Sequence, residues 1–323
     1  MVRERAPSLF AKARAALVGG LILLAAACAP QIAREGLATN PPTITNDAFV
    51  TRDGLHLPLR HWDADHPRAI IVALHGMSDY SEAFELFGPG PWWAEQGITV
   101  FAYDQRGFGA GPNRGVWAGG DAMRQDLTDF VSAVRAKFPG VPVYALGESM
   151  GGAVLLSDLA SSDPPNVDGA ILAAPAVWSR EDMPFYYSWA AWFMSHVLPA
   201  YHVSGNGLGI VASDNNELLR KLARDPLFQH SARSDQVYGL MNLMDQARKA
   251  PEHLPLTAPP ILFLYGAHDQ VIPAKPTQET IKALGDHAEV HRDPDGYHML
   301  LRDLDRQSLW QEVLDWVTNK GAK

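Results

Sequence analysis

Gly147-Glu148-Ser149-Met150-Gly151 stands between an apolar, β-rich run, Val141 to Leu146, and an apolar helical run that begins at Gly152. A strand that turns at once into a helix lifts a serine hydroxyl above the edge of a sheet, where a substrate can reach it. Glycines two before and two after the serine remove Cβ atoms that would clash in so tight a turn. Gly152 lets the following helix lie close to the strand. The stretch therefore predicts a nucleophile elbow, with Gly147 and Gly151 as its hinges and Ser149 at its tip.

A serine hydroxyl is a poor nucleophile near neutral pH. It needs a neutral imidazole to take its proton and a carboxylate to orient that imidazole. Downstream, Ile261 to Tyr265 reads as a buried strand that empties into Gly266-Ala267-His268-Asp269, and a shorter strand candidate, Ala288 to Arg292, leads into Asp293-Pro294-Asp295-Gly296-Tyr297-His298. Ser149, Asp269 and His298 thus each follow a strand end, the place where open α/β sheets collect their functional groups. Asp293 and Asp295 are alternative partners for His298 but share its own short loop. His268 adjoins the proposed acid and reads as a loop-shaping residue, and Glu148 reads as a support beneath the elbow. His287 and His291 are four apart, but they bracket a strand candidate and no third ligand follows at a metal-binding spacing, so no metal is expected.

Around these residues the chain alternates strands and helices. A hairpin, Ala48 to Thr51 and Leu55 to His61, turns at Asp53-Gly54. Strand candidates follow near 69, 98, 141, 169, 261 and 288, with helical segments at about 81 to 95, 121 to 138, 152 to 161, 274 to 284 and 304 to 319. This rhythm predicts an α/β fold with a mainly parallel, eight-stranded sheet covered by helices on both faces. The gap from Ala173 to Ile261 breaks the rhythm and marks an insertion at about 176 to 258. From Trp178 to Tyr201 it carries eight aromatic residues in 24. A helical cap is expected there, with Phe185, Trp189, Trp192 and Phe193 as candidates to line an acyl pocket.

With these features the chain resembles the α/β-hydrolase superfamily, and within it the monoacylglycerol lipase and lysophospholipase-like group, also described as serine aminopeptidase-like hydrolases. The matching stretches are His75-Gly76-Met77, Asp104-Gln105-Arg106-Gly107-Phe108-Gly109, Gly147 to Gly152, Gly266 to Asp269 and Gly296-Tyr297-His298. The resemblance spans roughly residues 46 to 320 and is weakest in the middle. It implies Ser149 as nucleophile, Asp269 as acid and His298 as base. It also implies an oxyanion loop at His75-Gly76, with the backbone N–H groups of Met77 and Met150 facing the carbonyl oxygen. Animal monoacylglycerol lipases usually carry His where this chain has Glu148, whereas bacterial and plant members often carry Glu. The group implies hydrolysis of single-chain lipid esters through an acyl-enzyme. A peptidase or short-chain esterase of the same fold, or a catalytically silent binder, are the other readings. Acids such as Glu181, Asp182, Asp214 and Glu217 would serve a peptidase by holding a free amine.

No cofactor is expected: no G-x-G-x-x-G opens a βαβ unit and there is no P-loop lysine. At the N-terminus, Arg3, Arg5, Lys12 and Arg14 precede an apolar stretch from Ala15 to Ala29, about 15 residues against the roughly 20 needed to span hydrocarbon. This predicts a signal peptide over residues 1–28. The chain's one cysteine, Cys28, follows Leu24-Ala25-Ala26-Ala27, which looks like a lipobox whose cysteine is lipidated. Ordinary cleavage, leaving a periplasmic or secreted protein, and an uncleaved membrane anchor are the alternatives. Residues 29–46 then read as an exposed tether and 47–323 as the hydrolase domain. The residue after Cys28 is not Asp, which by resemblance to lipoprotein sorting favours the outer membrane. Removing residues 1–27 leaves 23 basic against 35 acidic residues, a net charge of −12. Nucleic acid is therefore not an expected partner.

Overall fold

The computed structural model describes residues 29–320 except 206 and 208, and the Lys320 side chain is outside the description. The expected signal peptide and Cys28 lie outside the described residues.

Strands β1 (Thr43–Ile44), β2 (Ala48–Val50), β3 (His56–Trp62), β4 (Ala69–Leu74), β5 (Ile98–Tyr103), β6 (Val143–Glu148), β7 (Gly169–Ala173), β10 (Ile261–Gly266) and β11 (Ala288–Asp293) form one sheet in the order β1-β2-β3-β5-β4-β6-β7-β10-β11. The pairs from β1 to β5 are antiparallel, and every pair from β5 to β11 is parallel. Two short strands, β8 (His202–Val203) and β9 (Ala232–Arg233), make a separate antiparallel ribbon.

Side chains alternate across the sheet as the two-residue period requires. In β4, Ile70, Val72 and Leu74 join one core, with helices Gly120–Lys137 and Met150–Leu159. Ala69, Ile71 and Ala73 face the other core, with Trp93 of helix Gly90–Glu95 and Trp310, Val313 and Val317 of helix Arg306–Lys320. Being covered on both sides, β4, β5, β6, β7 and β10 are buried throughout, which is why they read as continuous apolar runs.

Three expectations are refined. The sheet has nine strands among the described residues, not eight, because Thr43–Ile44, placed in the tether, pairs with Phe49 and Val50. The rest of that tether is bonded to the body: Ala33 N–H donates to Trp117 O, Gln31 N–H to Asp235, and Gly36 N–H to Asp53. The helix expected over 81 to 95 breaks into a 3-10 turn, Ser81–Phe84, and helix Gly90–Glu95. Between them Phe87 has φ 56° and a Cβ on Gly88 would overlap the Phe84 backbone, so the chain folds back before Pro89 starts the second helix. The insertion holds helices Phe185–Val197, Asn216–Leu222 and Ser234–Lys249 and the β8–β9 ribbon.

Candidate active site

At the C-terminal end of β6 the chain turns directly into helix Met150–Leu159, and Ser149 occupies the corner with φ 52° and ψ −112°. An L-residue held there stores about 1–3 kcal/mol. The surroundings leave it no choice. Ser149 N–H donates to Ala173 O at 2.9 Å, and Ala176 N–H donates to Ser149 O at 2.9 Å. A Cβ at 147 would overlap the Gly151 carbonyl, one at 151 would overlap the Leu74 carbonyl, and one at 152 would come within 2.8 Å of Pro175 Cβ. The glycines are therefore what allow the elbow helix to lie against β4 and β6.

The structure brings the three distant residues together. His298 Nε2 lies 3.0 Å from Ser149 Oγ, and His298 Nδ1 lies 2.9 Å from Asp269 Oδ2. The Asp269 side chain is buried, and its Oδ1 accepts the backbone N–H groups of Val271 and Ile272 at 2.8 and 3.0 Å. Those bonds aim Oδ2 at the imidazole. Asp293 and Asp295 stay within their own turn, where Asp295 N–H donates to Asp293. His268 stacks on Tyr297 at 5.5 Å. His287 ends a short 3-10 turn and His291 lies in β11, 3.8 Å from Glu312.

The loop after β4 lies opposite. A Cβ on Gly76 would stand 3.2 Å from Ser149 Cβ, a tight contact, and 3.8 Å from its hydroxyl, so glycine at 76 keeps the space beside the hydroxyl uncrowded. His75 is buried, with Nδ1 2.8 Å from Gly76 O and Nε2 2.9 Å from Gln105 N. Burial holds its pKa below the ordinary value, and the two contacts fit one neutral tautomer: Nδ1–H donates and Nε2 accepts. Gln105 Nε2 also donates to His75 O at 2.7 Å. Asp104 accepts Ser81 and Ala110 N–H groups, and Arg106 forks onto Asp126 and Asp53. The Asp104-Gln105-Arg106 stretch is therefore the scaffold that holds the His75 loop. Among the described residues neither the Met77 nor the Met150 amide donates to a protein acceptor; Met150 opens the helix directly after Ser149, and Met77 follows Gly76, whose Cα lies beside Ser149.

The four aromatic pocket candidates lie on helix Phe185–Val197, with exposures from 84 % at Phe185 to 39 % at Phe193. They form an open apolar face rather than the wall of an enclosed chamber. Trp189 stacks on Phe193 at 5.5 Å, and Trp192 stacks on His196 at 4.6 Å. The helix is held from its other side, where Ser195 is buried and Ser234 Oγ donates to Leu198 O.

Two functional candidates escape sequence reasoning. Arg302 and Asp79 are buried and paired at 2.6 Å, and Arg302 also lies 3.5 Å from Glu148. Burial raises the Glu148 carboxyl above the ordinary range while Arg302 pulls the other way. An arginine buried at the end of the short 3-10 turn Leu300–Arg302 leaves no trace in hydrophobic periodicity.

The family model described as serine aminopeptidase, S33, matches residues 65–305. The chain is 28% identical to monoglyceride lipase of Rattus norvegicus over 283 residues, covering 85% of this chain and 90% of that protein. It is 22% identical to monoacylglycerol lipase of Mycolicibacterium smegmatis, covering 86% and 98%. A soluble variant of monoglyceride lipase from Saccharomyces cerevisiae, solved with a substrate analog, superposes with a TM-score of 0.70 at 20% identity, covering 87% and 96%.

Proposed function

The chain belongs to the serine aminopeptidase S33 family of serine hydrolases, and we propose that it hydrolyses single-chain lipid esters, monoacylglycerols first among them, through an acyl-enzyme. The observation that carries this reading is the unbroken row Ser149 Oγ, His298, Asp269, at 3.0 and 2.9 Å, at a strained elbow. Ser149 Oγ attacks the ester carbonyl carbon while His298 Nε2 takes its proton. Asp269 holds the Nδ1–H side and stabilises the imidazolium. The developing oxyanion is received by the Met77 and Met150 amides, each typically worth about 100- to 1000-fold in rate. Collapse expels the alcohol, protonated by His298. Water, deprotonated by the same imidazole, then releases the fatty acid and restores Ser149.

The substrate class is supported by the lipases to which the chain is similar and by the uncharged aromatic helix Phe185–Val197 in the insertion. A peptidase would need acids free to hold an amine. Glu181 instead pairs with Lys249 at 2.9 Å, Asp182 bonds Ser179 and Arg248, Asp214 accepts Leu304 N–H, and Glu217 pairs with Lys221. We also propose, from the sequence of the N-terminus, that Cys28 is lipidated and anchors the protein to the outer membrane, since multiple acyl chains on one cysteine hold stably where one does not. Full processing and membrane retention of Cys28→Ser would overturn the anchor.

The enzyme reading is tested with the purified protein on a panel of monoacylglycerols, p-nitrophenyl esters of graded chain length and aminoacyl arylamides. Turnover greatest on long single-chain esters is expected. Arylamide turnover exceeding that of every ester would overturn the assignment.

A further inference from the structure

Three loops deliver the reacting groups: the His75 loop, the Ser149 elbow and the loop carrying His298. One side chain touches all three. Arg302, four residues past His298 and only 1 % exposed, donates from Nη2 to Asp79 Oδ2 at 2.6 Å, and the same nitrogen lies 3.5 Å from Glu148 Oε2. Asp79 follows Gly76 by three residues, its N–H donates to Gly76 O at 3.3 Å, and its Oδ1 caps Tyr80 N–H. Glu148 is the residue immediately before the nucleophile. Both carboxylates are buried.

Stability does not account for this cluster. Two buried carboxylates share one guanidinium, and Arg302 Nε, Arg302 Nη1 and Glu148 Oε2 make no further hydrogen bond among the described residues. Buried ion pairs that are this incompletely satisfied are commonly no better for stability than apolar residues of similar volume, because desolvation offsets their attraction. What the arrangement does supply is geometry, since a charge can hold three separate loops to one point without covalent connection.

We propose that Arg302 is a positioning residue that, through Asp79 and Glu148, sets the oxyanion loop, the nucleophile and the base loop in a common register. It touches no reacting atom and acts through its two partners. The inference rests on the triad reading above, and its test separates the two.

The test compares the full chain with Arg302→Met, Arg302→Lys and the neutralised triple variant Asp79→Asn, Glu148→Gln, Arg302→Met. Each is titrated with a fluorophosphonate so that kcat is expressed per competent site, and thermal midpoints are recorded alongside. Arg302→Met leaves two carboxylates without a cation and should lose stability. The triple variant removes that burden and keeps the question open should the single variant not fold. The expected result is a kcat at least tenfold below wild type in the triple variant, KM within threefold, a midpoint near or above wild type, and partial recovery of kcat in Arg302→Lys. A titrated kcat within twofold of wild type in the triple variant would reduce Arg302 to a packing role and overturn the proposal. So would a loss of kcat/KM carried by KM alone. If the triad reading itself were wrong, the wild-type protein would fail to titrate, which is a different outcome.

Discussion

Replacing Ser149 by glycine should make the protein more stable than replacing it by alanine, although both variants lose the nucleophile. At φ 52° and ψ −112° an L side chain costs about 1–3 kcal/mol, and the backbone bonds to Ala173 and Ala176 prevent the corner from relaxing. Glycine adopts this conformation freely but adds about 0.5–1 kcal/mol of chain entropy to the unfolded state relative to alanine. Loss of the hydroxyl and of its 3.0 Å bond to His298 is common to both variants and cancels in the comparison. The difference that remains is on the order of 1 kcal/mol in favour of glycine, a few degrees at most in thermal midpoint for a chain of this size. Urea unfolding of both variants under one buffer measures it, with p-nitrophenyl ester turnover as the second readout. Turnover should fall by at least about 10⁴-fold in each. A glycine variant no more stable than the alanine variant would show that the elbow holds no strain and that the serine is placed for some other reason.

Asp269→Asn should lower kcat by roughly 10⁴-fold with little change in thermal midpoint. Its oxygen can keep the Val271 and Ile272 amides, but its NH₂ then faces His298 Nδ1 and forces the proton onto Nε2, where Ser149 needs an acceptor; kcat within tenfold of wild type would contradict Asp269 as the orienting acid. Asp158 lies in the elbow helix, buried and bonded to Thr128, and burial pushes its carboxyl up to about 7. A group whose folded pKa is raised contributes stability that is complete below its unfolded value near 4 and is lost as pH rises toward 7. Asp158→Asn removes that loss, so the unfolding free energy of the variant relative to wild type should rise by on the order of 2 kcal/mol between pH 5 and pH 8. Parallel curves for the two proteins would place the titration elsewhere.

The parts of the fold that were legible in the sequence are those whose cause is local. Strands such as Ile98–Tyr103 and Ile261–Gly266 read correctly because both faces of the sheet are covered and their residues are apolar without interruption. The elbow read correctly because its steric demands fall on glycines one or two residues away. The break at 85 to 89 did not, since it depends on Gly88 meeting the Phe84 backbone in three dimensions. Residues 29 to 46 are polar and proline-containing and look like a tether, yet their backbone amides find acceptors on Asp53, Trp117 and Asp235, all remote in sequence. The exposure of Trp189 and Trp192 was hidden as well, because aromatic density does not say which side of a helix meets the body.

The triad members differ in how they are held, and this decides what the insertion is for. Ser149 is fixed within the elbow itself, by the close approach of its flanking glycines and by backbone hydrogen bonds to Ala173 and Ala176. The His298 loop is also closely packed, since a Cβ on Gly266 would overlap the Gly296 carbonyl, and polar groups from outside the loop brace it further: Asp303 accepts Tyr297 N–H at 2.8 Å and the Ser213 hydroxyl at 2.6 Å, Asn215 Nδ2 donates to Arg302 O, and Met299 N–H donates to Ala212 O. Residues 212, 213 and 215 belong to the same insertion that carries the aromatic helix. The insertion is thus built into the support of the His298 loop and also carries the exposed aromatic helix Phe185–Val197. Exchanging it whole for another cap would disturb kcat through the 297 to 303 loop even where the new cap suited the ester, whereas exchanging only residues 185–197 would leave that bracing intact.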